Sequence, residues 1–240
     1  VIGFSNARVA AMAGAPVLMI TGGGVGNVVD SVYMNLALFR QEGVEVRAIL
    51  ANKLLAEKRE KTLGYLEKAF AGEPFRVLGG FNYQPVLANP TLKRVAKVLK
   101  ADLQGNQEDL MRIVHHVQIG ASSTQRVIDV LKDDTLVLVT SSRDELLVTL
   151  ANLYNQPEYR PKIAGLVIPG TTATSRITQQ ILDNSGIPYL RVRQRTDNVF
   201  LAIHEDVSKL TAEDSEKISL IQELARKRFD FDYLDKLFTT

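Results

Sequence analysis

Val17-Leu18-Met19-Ile20-Thr21-Gly22-Gly23-Gly24-Val25-Gly26-Asn27 decides the fold class. An apolar run of strand length enters a Gly-rich turn, and a helical pattern continues from Asn27 to Glu42. A strand that turns directly into a helix is the first half of a crossover unit, the connection that joins parallel strands. Outward from this stretch the alternation repeats. Ser5–Ala13 before it is helix-like, and the strand Val46–Ala51, a helix over Glu57–Phe70 and the strand Val77–Gly80 follow. Pro90 opens a helix that runs to Lys100, and Gln104-Gly105-Asn106-Gln107 reads as a linker.

A second series begins there. Its strand candidates are Ile113–Ile119, Leu136–Thr140, Ile163–Ile168 and Tyr189–Val192. Helices are expected over Thr124–Leu131, Asp144–Tyr154 and Ser175–Asn184, the last stopped by Gly186. Short apolar strands between helices imply parallel sheets covered on both faces. The tail predicts an amphipathic helix over Ala212–Arg228, then a short docking helix in the aromatic and acidic stretch Phe229–Phe238. The expected division is therefore 1–104 and 105–240. The first part shows few strands for an open sheet, so its edge is expected to be covered by upstream chain or by another copy in a homo-oligomer, most simply a twofold dimer.

Composition narrows the function classes. Among 240 residues, Lys and Arg exceed Asp and Glu by only two, which gives no electrostatic case for nucleic acid or an anionic membrane. The count of zero Cys removes disulfides, thiolate metal sites and a cysteine nucleophile, and fits a cytoplasmic location. No apolar run reaches the roughly 18 residues of a transmembrane helix. His115-His116 lies in an expected strand, where neighbouring side chains point to opposite faces, so a shared metal is not expected. No catalytic triad order is readable, and no catalytic residue is assigned.

The turn Gly22-Gly23-Gly24-Val25-Gly26-Asn27 can present backbone N–H groups to a phosphate, and glycines equally serve any tight strand-to-helix turn. Asn27 occupies the third glycine position of the dinucleotide fingerprint, and no Gly-Lys-Ser/Thr occurs here. The most informative pattern is collective. In an open parallel sheet, ligands bind beyond the carboxyl ends of the strands. Those ends in the second series read Gly120-Ala121-Ser122-Ser123, Thr140-Ser141-Ser142-Arg143, Pro169-Gly170-Thr171-Thr172 and Gln194-Arg195-Thr196. The candidate anion-binding residues are Ser122, Ser141, Ser142, Arg143, Gly170, Thr171 and Arg195. Ser122 with Gln125, and Ser142 with Glu145, also read as capping boxes, so helix capping competes with ligand binding for these hydroxyls.

Several segments carry a family resemblance. Gly3-Phe4-Ser5-Asn6-Ala7-Arg8-Val9-Ala10, Gly14–Ile20, Asn35-Leu36-Ala37, Gly43-Val44-Glu45-Val46, Ala51-Asn52-Lys53, Leu78-Gly79 and Asn89-Pro90-Thr91-Leu92 are among them. They resemble the later part of the dethiobiotin-synthetase-like P-loop domain of long bacterial phosphotransacetylases, with cobyrinic acid a,c-diamide synthases as more distant relatives. Ile119-Gly120-Ala121, Leu136-Val137, Arg143, Ala164–Ile168, Thr196 and Asp214–Ile218 resemble the DRTGG domain that follows. The name-giving Asp-Arg is Ser142-Arg143 here, and the Thr-Gly-Gly is Pro169-Gly170-Thr171.

The resemblance implies an α/β chain: a partial P-loop-like parallel sheet, then a DRTGG-like α/β domain. It implies a non-catalytic regulatory or ligand-sensing module, with Asn52 and Lys53 on the base side of a nucleotide. The P-loop would lie before Val1 and the acyltransferase domain after Thr240, so this chain is expected to be inactive alone. ATP or another nucleotide is the implied ligand, with Mg only where an upstream P-loop exists. The rival readings are a piece of an ATP-dependent dethiobiotin/cobyrinate-synthase-like enzyme and a structural oligomerisation unit.

Overall fold

The computed structural model describes residues 4–22, 25–206 and 210–239, so Gly23 and Gly24 of the glycine turn lie outside the described residues. The chain divides into two compact units, 1–84 with 216–240, and 85–215. Both are α/β.

In the first unit, α1 (Asn6–Ala13) starts at Ser5, whose side chain accepts from the Arg8 N–H, and ends at Gly14 in the left-handed region. After β1 (Val17–Gly22), α2 (Val25–Gln41) buries Val28, Val32, Leu36 and Phe39, the spacing of one helix face. Then come β2 (Val46–Asn52), α3 (Arg59–Ala69) and β3 (Arg76–Gly79). Among the described residues the sheet runs β1-β2-β3, all parallel, and its core joins Val32, Phe39, Ile49 and Leu66 to Phe70 and Phe75. The tail helices α10 (Ser215–Arg228) and α11 (Phe231–Phe238) serve this unit. The Phe229 ring meets Phe81 edge-on at 5.1 Å, and Arg47 Nη1 donates to Leu237 O at 3.0 Å.

The second unit starts with α4 (Pro85–Ala88), α5 (Leu92–Leu99) and β4 (Leu103–Gln104). A regular succession follows: β5 (His116–Ile119), α6 (Thr124–Asp129), β6 (Thr135–Leu138), α7 (Asp144–Tyr154), β7 (Ile163–Pro169), α8 (Arg176–Ser185), β8 (Tyr189–Val192) and α9 (Thr196–His204). Among the described residues the sheet order is β4-β8-β7-β6-β5, parallel except for β4. Sequential parallel strands with crossovers of one hand put the connecting helices on one face. Val127 of α6, Leu146 and Leu150 of α7 and Leu182 of α8 accordingly share a core with Leu166 and Ile168. On the other face Leu92, Val95 and Leu99 of α5 meet Val199 and Ile203 of α9 over Leu138, Val167 and Leu190.

Four expectations change. The division lies at 84/85 rather than 104/105, because α5 and β4 bury Leu92, Val95, Leu99 and Leu103 in the second unit's core. The tail, expected with the second unit, belongs to the first from Glu216 onward. Part of the expected linker is strand, since Leu103 and Gln104 pair antiparallel with Leu190 and Tyr189. Pro90 precedes the helix it was expected to open: Thr91 is the cap, and its hydroxyl accepts from the Arg94 N–H at 3.3 Å. His115 Nδ1 lies 3.4 Å from Asp134 and His116 is exposed.

Tyr189 supplies a test of the second unit's packing. Burial, then a hydrogen bond donated to Asp183 at 2.7 Å, pushes its hydroxyl up to about 12 from the usual value near 10. The folded state thus holds the phenol proton more tightly than the unfolded chain. The contribution is fully present below pH ~10 and is lost as pH rises towards 12. Unfolding followed from pH 9 to 12 should show a steeper loss of stability in the natural chain than in Tyr189→Phe; equal slopes would contradict this.

Candidate functional site

Strands β5 to β8 run in one direction, so their carboxyl ends share one edge of the sheet. A cleft of about 540 Å³ opens there, between the segments that follow β6, β7 and β8. It is lined by Thr140, Ser141, Ser142, Gly170, Thr171 and Arg195, together with Pro169, Thr172, Thr196 and Asp197. Five of the seven expected residues are therefore brought together. Ser122 and Arg143 are not among the lining residues.

The chain at Gly170 explains the shape of the cleft. Its φ of +113° is one that side-chain-bearing residues rarely adopt, and a Cβ there would stand 3.0 Å from Ser141 Oγ. The Gly170 N–H donates to Val192 O at 3.0 Å and to Gln194 O at 3.1 Å, which ties the end of β7 to the exit of β8. Ser141 is buried, and its N–H donates to Pro169 O at 3.2 Å.

Neither capping box forms. Ser123, not Ser122, caps α6 by accepting from the Arg126 N–H at 3.4 Å. At α7 the cap position is Arg143, which makes no side-chain cap bond. Ser142 lies one residue too early to cap, and its hydroxyl is 3.4 Å from that of Thr140. Glu145 does not reach back, because Arg143 Nε donates to it at 2.5 Å, and that bond holds the Glu145 carboxyl below its ordinary range. Neither the Ser141 nor the Ser142 hydroxyl caps α7, and both residues line the cleft.

The expected cations are largely committed. Arg143 Nη1 donates to Gly120 O and Ser122 O, each at 3.0 Å, and so braces the exit of β5. Arg195 is well exposed and lies 3.3 Å from Asp197. Thr140, Thr172 and Thr196 stand at strand ends in the sequence and join the assigned residues in the lining, since every loop leaving this edge carries a hydroxyl residue. Asp197, which pairs with Arg195, adds a carboxylate to the same lining.

In the first unit, Asn52 ends β2, and its Oδ1 accepts from the Phe81 N–H at 3.1 Å. Lys53 follows with φ 54°, a left-handed conformation. Asn52 O would lie 3.1 Å from a Cβ at Gly22, so a side chain there would crowd the exit of β2. Arg59 donates to Gly80 O at 2.7 Å and to Asn82 Oδ1 at 2.9 Å; burial, and then the nearby Arg228 charge, lower its pKa.

Comparison with known proteins matches residues 3–91 to the AAA domain family and residues 94–205 to the DRTGG domain family. Along the chain, a match to an AAA domain is followed by a match to a DRTGG domain. This is the order that the resemblance to the N-terminal region of phosphotransacetylases implied. A phosphate acetyltransferase of Pseudomonas putida is 25% identical over 171 residues, covering 68% of this chain and 24% of that protein. The chain thus spans about a quarter of the length of that curated relative. A crystal structure of the CBS and DRTGG domains of the regulatory region of Clostridium perfringens pyrophosphatase, complexed with its activator diadenosine tetraphosphate, aligns over 88% of this chain and 87% of that one. The sequence identity is 9% and the TM-score 0.39. No helix among the described residues is long and apolar enough to cross a membrane.

Proposed function

We propose that this chain is a non-catalytic regulatory module that senses a small anionic metabolite or nucleotide in the cleft of its DRTGG domain. The observation that carries the reading is the group of hydroxyls around Gly170. Ser141 and Ser142 do no capping work, they line the same cleft as Thr171 and Thr196, and Gly170 keeps a Cβ out of the space beside Ser141. Hydroxyls can donate to anionic oxygens, and a cleft of this size suits a small ligand. Calorimetric titration with inorganic phosphate, acetyl phosphate and ATP tests it. Binding tighter than about 1 mM (roughly −4 kcal/mol) is expected, and the double substitution Ser142→Ala/Thr171→Val should weaken it severalfold. Absence of binding for all three ligands, or unchanged affinity in the double variant, would remove the site. Turnover of ATP or transfer of acetyl groups by this chain is not expected, because its sequence has no Gly-Lys-Ser/Thr to hold β- and γ-phosphates; steady ATPase activity abolished by a substitution within the chain would refute the non-catalytic reading.

A second reading, oligomerisation through the first unit, is favoured by one specific observation. Among the described residues β1 is an edge strand, its Ile20 is 65% exposed, and α2 presents Met34 at 76% exposure. Large exposed apolar groups and an unpaired edge are what a second copy of the chain would cover. Sedimentation should show a concentration-dependent dimer that Ile20→Asp shifts towards monomer. A monomer at all concentrations counts against the reading.

A further inference from the structure

β8 is covered on its outer side only in part. β4 pairs with Tyr189 and Leu190 and then leaves, so beyond Leu190 no strand covers that edge among the described residues. A second cleft of about 510 Å³ occupies this edge, distinct in its lining from the one at the strand ends. Its polar lining is Lys100, Asp102, Gln104, Arg191, Arg193 and Gln194. Three cations face one acid, and the two amides can turn either donor or acceptor inward.

The charge there is unusually uncommitted. Lys100, held in a left-handed conformation at φ 52°, and Arg193 are exposed. Neither makes an ion pair among the described residues. Arg191 is the sharper observation. Its Nη2 donates to Thr172 O, while its Nη1 is buried with no hydrogen-bond partner. Burial lowers its pKa, and no carboxylate among the described residues pairs with it. A buried guanidinium nitrogen without an acceptor is costly, and structures normally supply a partner. The fork of a guanidinium matches two oxygens of a phosphoryl group, and two further cations at the same edge would offset the remaining charge.

We propose that this edge cleft is a second anion site, in which Arg191, Lys100 and Arg193 bind the phosphoryl group of a phosphorylated metabolite. Its lining shares no residue with the hydroxyl-lined cleft, and Arg191 touches the wall of that cleft only through its bond to Thr172 O. Asp102 sets its specificity: it repels ligands with a second anionic group on that side and accepts a hydroxyl or amine there.

The test is titration of the whole chain with inorganic phosphate and with ATP at fixed ionic strength. Hydrogen exchange locates the bound ligand. Protection of 99–104 and 191–194 by at least one of the two ligands is expected, with affinity at least tenfold weaker in Lys100→Gln/Arg193→Gln. Both of these substitutions are on exposed side chains, so folding is preserved. Arg191→Lys keeps the charge but loses the fork and should weaken binding severalfold. Protection confined to 140–142 and 170–172 would overturn this site while supporting the one proposed above. Protection at the edge that survives in both variants would overturn the assignment to these cations. ATP binding without phosphate binding would mean that the phosphoryl group is recognised only as part of a nucleotide, and phosphate binding alone would mean that it suffices.

Discussion

Replacing Leu166 with alanine is expected to lower the stability of the second unit by about 2–5 kcal/mol. Leu166 is fully buried in β7, the middle strand of its sheet, paired with Val137 on one side and Tyr189 on the other. It packs in the core beneath α7 and α8, where every neighbour is itself fixed, so the cavity cannot collapse. Ile177→Ala on α8 is the matched control: that side chain is 69% exposed, and its loss should change stability by no more than about 0.5 kcal/mol. Urea denaturation, with second-unit segments followed by hydrogen exchange, separates the two. Similar midpoints for both variants would mean that the core is not packed as described.

The second large effect is expected at Gly105, which turns the chain out of β4. Its φ is +80°, and a Cβ there would stand 2.2 Å from Ile187 O, inside any tolerable contact. Alanine must therefore push the turn away from 186–187, against the bond from the Asn106 N–H to Gly186 O and the pairing of β4 with β8. Strain and displacement together should cost about 2–5 kcal/mol. Gly186→Ala provides the comparison. Its φ is +70°, but nothing lies within 4 Å of the added Cβ, so only the conformational penalty of about 1–2 kcal/mol applies. Equal destabilisation by the two substitutions would show that contact with Ile187 is not the cause.

Much of the fold was legible because its signals are local. The apolar runs of β6 and β7, the continuous helix Asp144–Tyr154 and the Ser175 start of α8 each carry their pattern within a few residues. What escaped was either non-local or aperiodic. β4 is two residues long and exists only because Tyr189 and Leu190 lie beside it, some 85 residues later in sequence. α9 contains Val199-Phe200-Leu201-Ala202-Ile203, an unbroken apolar run with no alternation to mark a helix. The strand-end hydroxyls were legible because a parallel sheet delivers them all to one edge. Whether Ser142 or Arg143 held the cap position was not, since adjacent residues differ there by a single step of the backbone. Arg191 gave no warning: a charged residue within a short strand reads as solvated, and only packing shows one of its nitrogens buried.

The return of the tail to the first unit has a consequence for biosynthesis. Residues 85–215 interrupt the first unit as an insertion, and Phe229 and Leu237 reach their partners only after that insertion has been made. On the ribosome, where domains fold as their chain emerges, the second unit has all its strands available while the first still lacks its closing helices. The inserted unit is the first that can be complete, and the first sheet waits, with Phe81 bare, until residues 216–240 have been translated.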